Sequence, residues 1–248
     1  MKMSEQWILD KKYLEPIQNT ALFYPCSGND LLIPIELFSP YITDYWFVDK
    51  GYFTPGHQDT KHDKLDLPAD QHQPLLLDDE RYTLQNTSIQ GQPSWHYRHS
   101  KDIEPCILTE TYMHQESGRT IRIHKRRGYG FSGFRTEHFQ LGVFFYRGDS
   151  QGEGGSGNLW LNDEHIDEIC NRLIPHGLLA LDGSDGSPFY RKQGTYQEWW
   201  KYYRHPPCYT PEEFIQNARP FSDRKGRHFA CVGYAGEKYC PTMIWQMQ

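Results

Sequence analysis

Short apolar runs separated by turn-forming residues open the chain and predict a strand–helix–strand unit. Residues 21–24 (ALFY) form the first run, which ends in the turn formers of residues 25–30 (PCSGND). Apolar side chains at helical spacing follow in residues 31–38, and a second run at 45–48 (YWFV) ends at Asp49. A strand, a helix and a second strand in about thirty residues are the pattern of a parallel βαβ unit.

The same order recurs later in the chain. Residues 141–146 (LGVFFY) are an unbroken apolar run, as expected for a strand buried on both faces. A helix is predicted to begin at Asn162 or Asp163, because apolar residues then recur at spacings of three and four. Residues 178–181 (LLAL) follow it as another buried strand, which ends at Asp182.

Three further segments complete the predicted fold. Hairpins are predicted for residues 107–124 and 228–247, and a short helix is predicted within an N-terminal extension, residues 1–18. Residues 51–74 are polar and lack either apolar period, which predicts a long loop or a lid. We therefore predict a single α/β domain over residues 1–248. Its Rossmann-like sheet is expected to be mostly parallel, with about seven strands, helices on both faces and a C-terminal antiparallel hairpin.

Composition narrows the class of protein. Aromatic residues make up 15% of the chain, enough for a sizeable core, and no apolar run is long enough to span a bilayer. The formal net charge of −6 argues against a general nucleic-acid binder. The N terminus lacks the pattern of a secretory signal, and the cysteines form no paired framework, so we expect reduced thiols and a cytoplasmic location. No set of closely spaced ligands predicts a metal site.

The turn after the first strand is the first candidate site. Ligands of parallel sheets bind at the carboxyl ends of the strands, where glycine lets the backbone approach closely. Gly28 supplies that freedom, and Ser27 and Asp30 supply polar groups. Asp49 ends the next strand, 21 residues later, where a carboxylate can accept both hydroxyls of a ribose. An ordinary βα turn with a solvated aspartate is the alternative.

A glycine-rich loop is the second candidate. Residues 152–157 (GEGGSG) match the dinucleotide pattern G-x-G-x-x-G, and Asp182 ends the following strand, which together suggest a nicotinamide-dependent oxidoreductase. Residues 147–151 separate these glycines from the preceding strand, and this spacing favours an active-site loop instead. Asp149 and Glu153 are then the candidate catalytic carboxylates.

A basic stretch is the third candidate. Residues 119–135 contain six Arg or Lys, no acidic residue, and interleaved aromatic side chains. Such a stretch can hold a phosphate or stack a nucleobase, which would suit a non-catalytic binding module with a nucleic-acid or phosphate-bearing partner. A solvated hairpin followed by a loop is the alternative.

Taken together, the order of elements resembles the class I S-adenosylmethionine-dependent methyltransferases. FYPCSGND stands at their cofactor loop, Asp49 at their ribose-binding acid, and LIPHGLL (173–179) at the entry to their fifth strand. The loop departs from the family pattern at Tyr24, Cys26 and Asp30, where an acid and two glycines are usual. The resemblance implies a small-molecule or nucleotide-like ligand, S-adenosylmethionine, and an unknown methyl acceptor. It implies cofactor binding by Tyr24, Ser27, Gly28, Asp30 and Asp49, with Asp149 and Glu153 on the acceptor side.

Overall fold

A computed structural model gives the fold of most of the chain. It describes residues 6–53, 67–93, 104–147, 163–182, 220–237 and 240–248, with a few isolated positions between 212 and 218. The residues divide into two compact units, one of residues 1–17 and 140–248 and the other of residues 18–139. The two are described separately below, and the single domain over residues 1–248 stays a prediction.

Strands and short helices make up both units. The strands are β1 (Gln6–Leu9), β2 (Ala21–Pro25), β3 (Asp44–Asp49), β4 (Tyr82–Gly91), β5 (Cys106–His114), β6 (Thr120–Arg127), β7 (Leu141–Tyr146), β8 (Leu173–Asp182), β9 (Phe221–Ser222), β10 (His228–Glu237) and β11 (Cys240–Met247). The α-helices are α1 (Leu32–Phe38), α2 (Gly130–Thr136) and α3 (Asp163–Arg172). Single 3₁₀ turns lie at Lys11–Tyr13, Glu15–Ile17 and Ala69–Gln71.

The unit of residues 18–139 is a mixed sheet in the order β2-β3-β6-β5-β4. The strands β2, β3 and β6 run parallel, and β5 and β4 are antiparallel to their neighbours. All five residues of β2 are buried, which agrees with their unbroken apolar sequence. The α1 residues Ile35 and Phe38 are buried, and Phe134 of α2 meets Phe23 of β2 edge to face, with ring centroids 5.1 Å apart.

The other unit contains one parallel pair. Helix α3 connects β7 to β8, and these two strands are parallel. The remaining strands are antiparallel, in the order β8-β11-β10-β1, with β9 beside β10. All six residues of β7 are buried. Helix α3 buries the face that carries Ile166, Ile169 and Cys170, as its spacing of three and four predicts.

Both βαβ units and both hairpins are confirmed, but the predicted fold class is wrong. The sheets are mixed rather than mostly parallel, and the helices of the described residues are three turns or shorter. A turn at residues 115–119 joins β5 to β6, and only two residues separate β10 from β11; connections this short force neighbouring strands to be antiparallel. A mostly parallel sheet with helices on both faces would need a crossover connection at most of these steps.

The predicted N-terminal helix is also wrong. Residues 6–9 form β1, which pairs with β10, and two 3₁₀ turns follow instead of an α-helix. The hydrogen bonds of β1 come from residues more than 200 positions later in the chain (Leu9 lies opposite Gly233), and no local pattern reports such a partner. The predicted lid at residues 51–74 contains Tyr52 and Phe53 near its start, and both are buried. Its central part, residues 54–66, lies outside the described residues.

Candidate functional site

The carboxyl ends of β2, β3 and β6 meet at one edge of the sheet in residues 18–139. The register places Pro25 opposite Val48 and Asp49 opposite Arg127, so the three strands end side by side. The loop after β2 and the residues after β3 therefore lie at this edge. Polar residues predicted to be a site, Tyr24, Ser27, Gly28, Asp30 and Asp49, lie here and are called the loop–Asp49 cluster.

The loop after β2 folds back onto the end of β3. The Ser27 backbone N–H donates to the Val48 carbonyl at 3.3 Å, and the Asp30 N–H donates to the Ser27 carbonyl at 3.0 Å. Cys26 and Gly28 have φ values of 53° and 49°, in the left-handed region. Gly28 adopts this conformation without strain, and Cys26 does so at a cost of about 1 kcal/mol. A Cβ added to Gly28 would meet no protein atom within 4 Å.

Asp49 is the residue that joins the loop to β3. Its carboxylate accepts the Gly28 backbone N–H at 3.1 Å on Oδ2 and the Gly51 backbone N–H at 2.7 Å on Oδ1. Gly28 and Asp49, which the sequence assigns to one candidate site, are therefore joined by a direct hydrogen bond. Two backbone donors fix the plane of the carboxylate, and the residue is half-buried.

Two tyrosine hydroxyls hold the rest of the loop. Tyr24, at the end of buried β2, donates to Asp30 Oδ2 at 3.0 Å. Tyr52 donates to the Gly28 carbonyl at 2.9 Å, and its oxygen lies 2.7 Å from Ser27 Oγ, so the serine hydroxyl donates to it. Burial raises the pKa of Tyr52 well above its usual value, and the Asp49 carboxylate raises it further, so the phenol stays protonated.

Sequence reasoning missed Tyr52. It falls near the start of the polar segment interpreted as a lid, although an aromatic pair, Tyr52 and Phe53, follows the candidate acid after Lys50 and Gly51. That change from polar to aromatic residues just after a strand end was the available signal. Both side chains are fully buried, and the Tyr52 hydroxyl contacts the loop while Phe53 packs against Tyr52 and His72.

Arg119 and Arg122 of the basic stretch have partners inside this unit. The Arg119 guanidinium donates to the Pro40 carbonyl at 3.1 Å and to Gln18 Oε1 at 2.8 Å. The Arg122 guanidinium forms an ion pair with Asp44, with Nε 2.7 Å from Oδ1. These contacts stabilise the start of β6 against its neighbours rather than leaving a row of cations for a polyanion.

The remaining β6 cations are buried. Lys125 Nζ lies 2.7 Å from Glu110 Oε1, and Arg126 Nε lies 2.9 Å from Glu137 Oε1. Arg127 donates from Nε to the Glu104 carbonyl at 2.9 Å and from Nη2 to the Gln92 carbonyl at 3.1 Å. A phosphate could reach these groups only by displacing such contacts, so the geometry does not support a nucleic-acid surface on β6.

The second glycine loop lies outside the described residues. So do Asp149 and Glu153, because the structure describes nothing between residues 147 and 163. Asp182 is the last residue of β8 and lies opposite Thr242 of β11. The acceptor-side carboxylates and the nicotinamide alternative therefore stay predictions.

Three general findings complete the description of the site. Within the described ranges, no group of three or more His, Cys, Asp or Glu is placed to hold a metal ion. None of the helices described is long and apolar enough to cross a membrane. Among the cysteines whose side chains are described, Cys106, Cys170 and Cys231 are free thiols.

Comparison with known proteins finds no relative. The chain matches no protein-family model, no curated protein and no solved structure. The candidate site therefore rests on its own geometry.

Proposed function

We propose that the chain binds S-adenosylmethionine at the loop–Asp49 cluster and acts as a methyltransferase on an acceptor not yet identified. The observation that carries the proposal is the hydrogen bond from the Gly28 N–H to Asp49 Oδ2 at 3.1 Å. It brings a permissive glycine and a fixed carboxylate together at the carboxyl ends of parallel strands, where ligands of such sheets bind.

The residues of the cluster fit the chemistry of that cofactor. Open space beside the Gly28 Cα allows a ligand to approach the backbone there. The Asp49 carboxylate, held in one plane by Gly28 and Gly51, is suited to accept hydrogen bonds from the two hydroxyls of a ribose. Asp30, half-buried at the other end of the loop, adds a second negative charge, which favours a ligand that carries a cationic sulfonium centre.

Methyl transfer needs little chemistry from the protein. Bound S-adenosylmethionine would supply an activated methyl group for transfer to the acceptor. The chain's residues have to hold donor and acceptor in line, which can supply much of the rate enhancement. We propose that Asp149 and Glu153 act on the acceptor and that one of them takes the acceptor's proton.

A cytoplasmic location and a small-molecule or nucleotide-like ligand belong to the same proposal. The free thiols of the described cysteines are those that a reducing compartment maintains. The buried and paired cations of β6 give no support to the alternative of a nucleic-acid-binding module. The nicotinamide alternative is included in the experiment below as a competing ligand.

The test is isothermal titration calorimetry of the chain with S-adenosylmethionine, NAD and NADP. We expect the chain to bind S-adenosylmethionine and neither NAD nor NADP. The Asp49→Asn variant should bind S-adenosylmethionine at least tenfold more weakly, because the amide replaces one acceptor oxygen with a donor. Asp78→Asn is the matched control, because Asp78 is an exposed aspartate of the same unit. Absence of heat at about 1 mM S-adenosylmethionine, a concentration that detects weak sites, would refute the proposal. Binding of NAD or NADP instead would favour the oxidoreductase.

A further inference from the structure

Strand β4 forms one end of the sheet in residues 18–139 and has an unusual composition for an edge strand. No other described strand pairs with its outer side. Its ten residues (YTLQNTSIQG) include no charged residue and no proline, and every residue from Gln85 to Gly91 is exposed. Natural edge strands are commonly protected by lysine, proline or covering elements, because unpaired backbone groups recruit other strands.

A bulge places the two aliphatic residues of this strand on the same face. The β4–β5 register shifts between Leu84 and Asn86, so Gln85 is an extra residue on β4. Leu84 lies opposite Tyr112 and Ile89 lies opposite Leu108, and both of these β5 side chains are buried. Five residues apart on a regular strand, Leu84 and Ile89 would point to opposite faces, but the bulge places them on the same face.

The strand is complementary to itself when two copies run antiparallel. With Thr87 placed opposite Thr87 of a second copy, Asn86 lies opposite the second copy's Ser88. If Gln85 remains the extra residue in both copies, Leu84 then lies opposite the second copy's Ile89, and Thr83 opposite its Gln90. In each pair both members lie on the same face of the sheet, as their β5 partners show. Regular pairing without the bulge would put Leu84 and Ile89 on opposite faces.

We infer that two copies of the chain associate through β4, antiparallel about a twofold axis at Thr87. Such a pairing is closed, because each copy contributes the same strand and both outer edges become paired. It brings no charge against its own copy, and it covers the side chain of Ile89, which is 37% exposed in the single chain. Two Leu–Ile pairs and one Thr–Thr pair are cross-strand pairs that stabilise antiparallel sheets.

The inference is independent of the proposed methyltransferase activity, and the position of the twofold axis makes it testable. Thr87 is the residue that meets its own copy, so Thr87→Lys and Thr87→Glu each place two like charges opposite one another. Each variant alone should be monomeric, and an equimolar mixture should dimerise, since lysine then faces glutamate. Thr120→Lys is the matched control, because Thr120 is an exposed threonine at the start of the inner strand β6.

Sedimentation velocity measures the outcome over about 1–200 μM protein, a range that brackets the micromolar affinities of small interfaces. The wild type and Thr120→Lys should shift from the mass of one chain to that of two, and circular dichroism should show all variants folded. A wild-type chain that stays monomeric throughout, or that forms larger open-ended assemblies, would overturn the inference. So would a dimer that survives both single Thr87 substitutions, or a mixture that stays monomeric.

Discussion

Two polar clusters in residues 18–139 differ in the groups that contact their central carboxylates. In the loop–Asp49 cluster, the Asp49 carboxylate accepts hydrogen bonds from the backbone N–H groups of Gly28 and Gly51 and is half-buried. In the second, called the Glu110 cluster, the Glu110 carboxylate meets the Lys125 ammonium at 2.7 Å and the Tyr112 hydroxyl at 2.6 Å. Glu110 is only 1% exposed and Lys125 only 3%.

The difference separates a structural cluster from a candidate site. The polar groups of the Glu110 cluster satisfy one another. Glu110 Oε2 also accepts the Leu75 N–H at 2.8 Å, and the Tyr112 hydroxyl accepts the Leu76 N–H, so Glu110 and Tyr112 hold residues 75–76 against β5. In the loop–Asp49 cluster, backbone N–H groups of Gly28 and Gly51 hold the carboxylate beside open space at Gly28, where a ligand can approach the backbone. The net charge of a sequence stretch does not distinguish these cases, since Lys125 of the basic stretch belongs to the Glu110 cluster.

The largest expected effect on stability is at Lys125. Lys125→Met leaves the Glu110 charge buried without its cation, and removing one partner of a buried pair costs about 3–5 kcal/mol of unfolding free energy. Guanidinium unfolding measures it. The double variant Lys125→Met, Glu110→Leu should recover much of the loss, because no charge then remains buried. A loss below about 1 kcal/mol for the single variant, the size expected of an exposed pair, would contradict the assignment.

Tyr52→Phe should have a smaller effect on stability and a clear effect on ligand binding. The change leaves the Gly28 carbonyl and the buried Ser27 hydroxyl without their partner, at a cost of about 1–3 kcal/mol. It also loosens the loop, so the affinity for S-adenosylmethionine should fall in parallel. Chemical unfolding and calorimetry on the same preparation test both. Unchanged affinity would show that the position of the loop does not govern binding.

Asp44 is a third carboxylate of this unit that lies in neither cluster, and its ion pair with Arg122 is partly exposed. Burial by itself would raise the pKa of Asp44, but hydrogen bonds from His124 and Arg122 outweigh it and lower the pKa. A carboxyl with a lowered pKa stabilises the fold above about pH 4 and loses that contribution as pH falls through the folded-state value. Wild type should therefore exceed Asp44→Asn in unfolding free energy at pH 7, and the difference should shrink below pH 4. A pH-independent difference in urea unfolding would refute this.

Cysteine labelling gives the smallest and most local effect. Cys26 is exposed beside the loop, whereas burial raises the pKa of Cys170 and of Cys231 to about 12. Iodoacetamide at neutral pH should label Cys26 much faster than either of these thiols, as judged by peptide mass spectrometry. S-Adenosylmethionine should slow the labelling of Cys26 and leave the other two rates unchanged. Equal rates with and without the cofactor would place the ligand away from the loop.

The sequence predicted the part of the fold whose pattern is local. Strands β2, β3 and β7 are apolar runs because they are buried, and the turn residues between β2 and α1 mark the loop directly. Gly28 and Asp49, assigned to one candidate site because each follows the end of a predicted strand, are joined by a hydrogen bond.

What the sequence could not supply depends on distant partners. Strand β4 shows no alternation because most of its side chains are exposed on both faces, so it was missed. Strand β1 pairs with β10, at the opposite end of the sequence, and the local pattern of residues 4–15 predicts a helix there instead. The roles of Lys125 and Arg127 depend on residues brought close by β5 and by the segments at Gln92 and Glu104, which no spacing along β6 indicates.

The most direct measurement compares two glycines that both have a positive φ and open space where a Cβ would lie. Gly28 and Gly118 have φ values of 49° and 66°, and a Cβ on either would meet no protein atom within 4 Å. Alanine should therefore strain both backbones alike, by about 1–2 kcal/mol. Only at Gly28 should it also obstruct a bound cofactor. Calorimetry with S-adenosylmethionine is predicted to give wild-type affinity for Gly118→Ala and at least tenfold weaker binding for Gly28→Ala. Equal affinities in the two variants, or no binding by the wild type, would contradict the account.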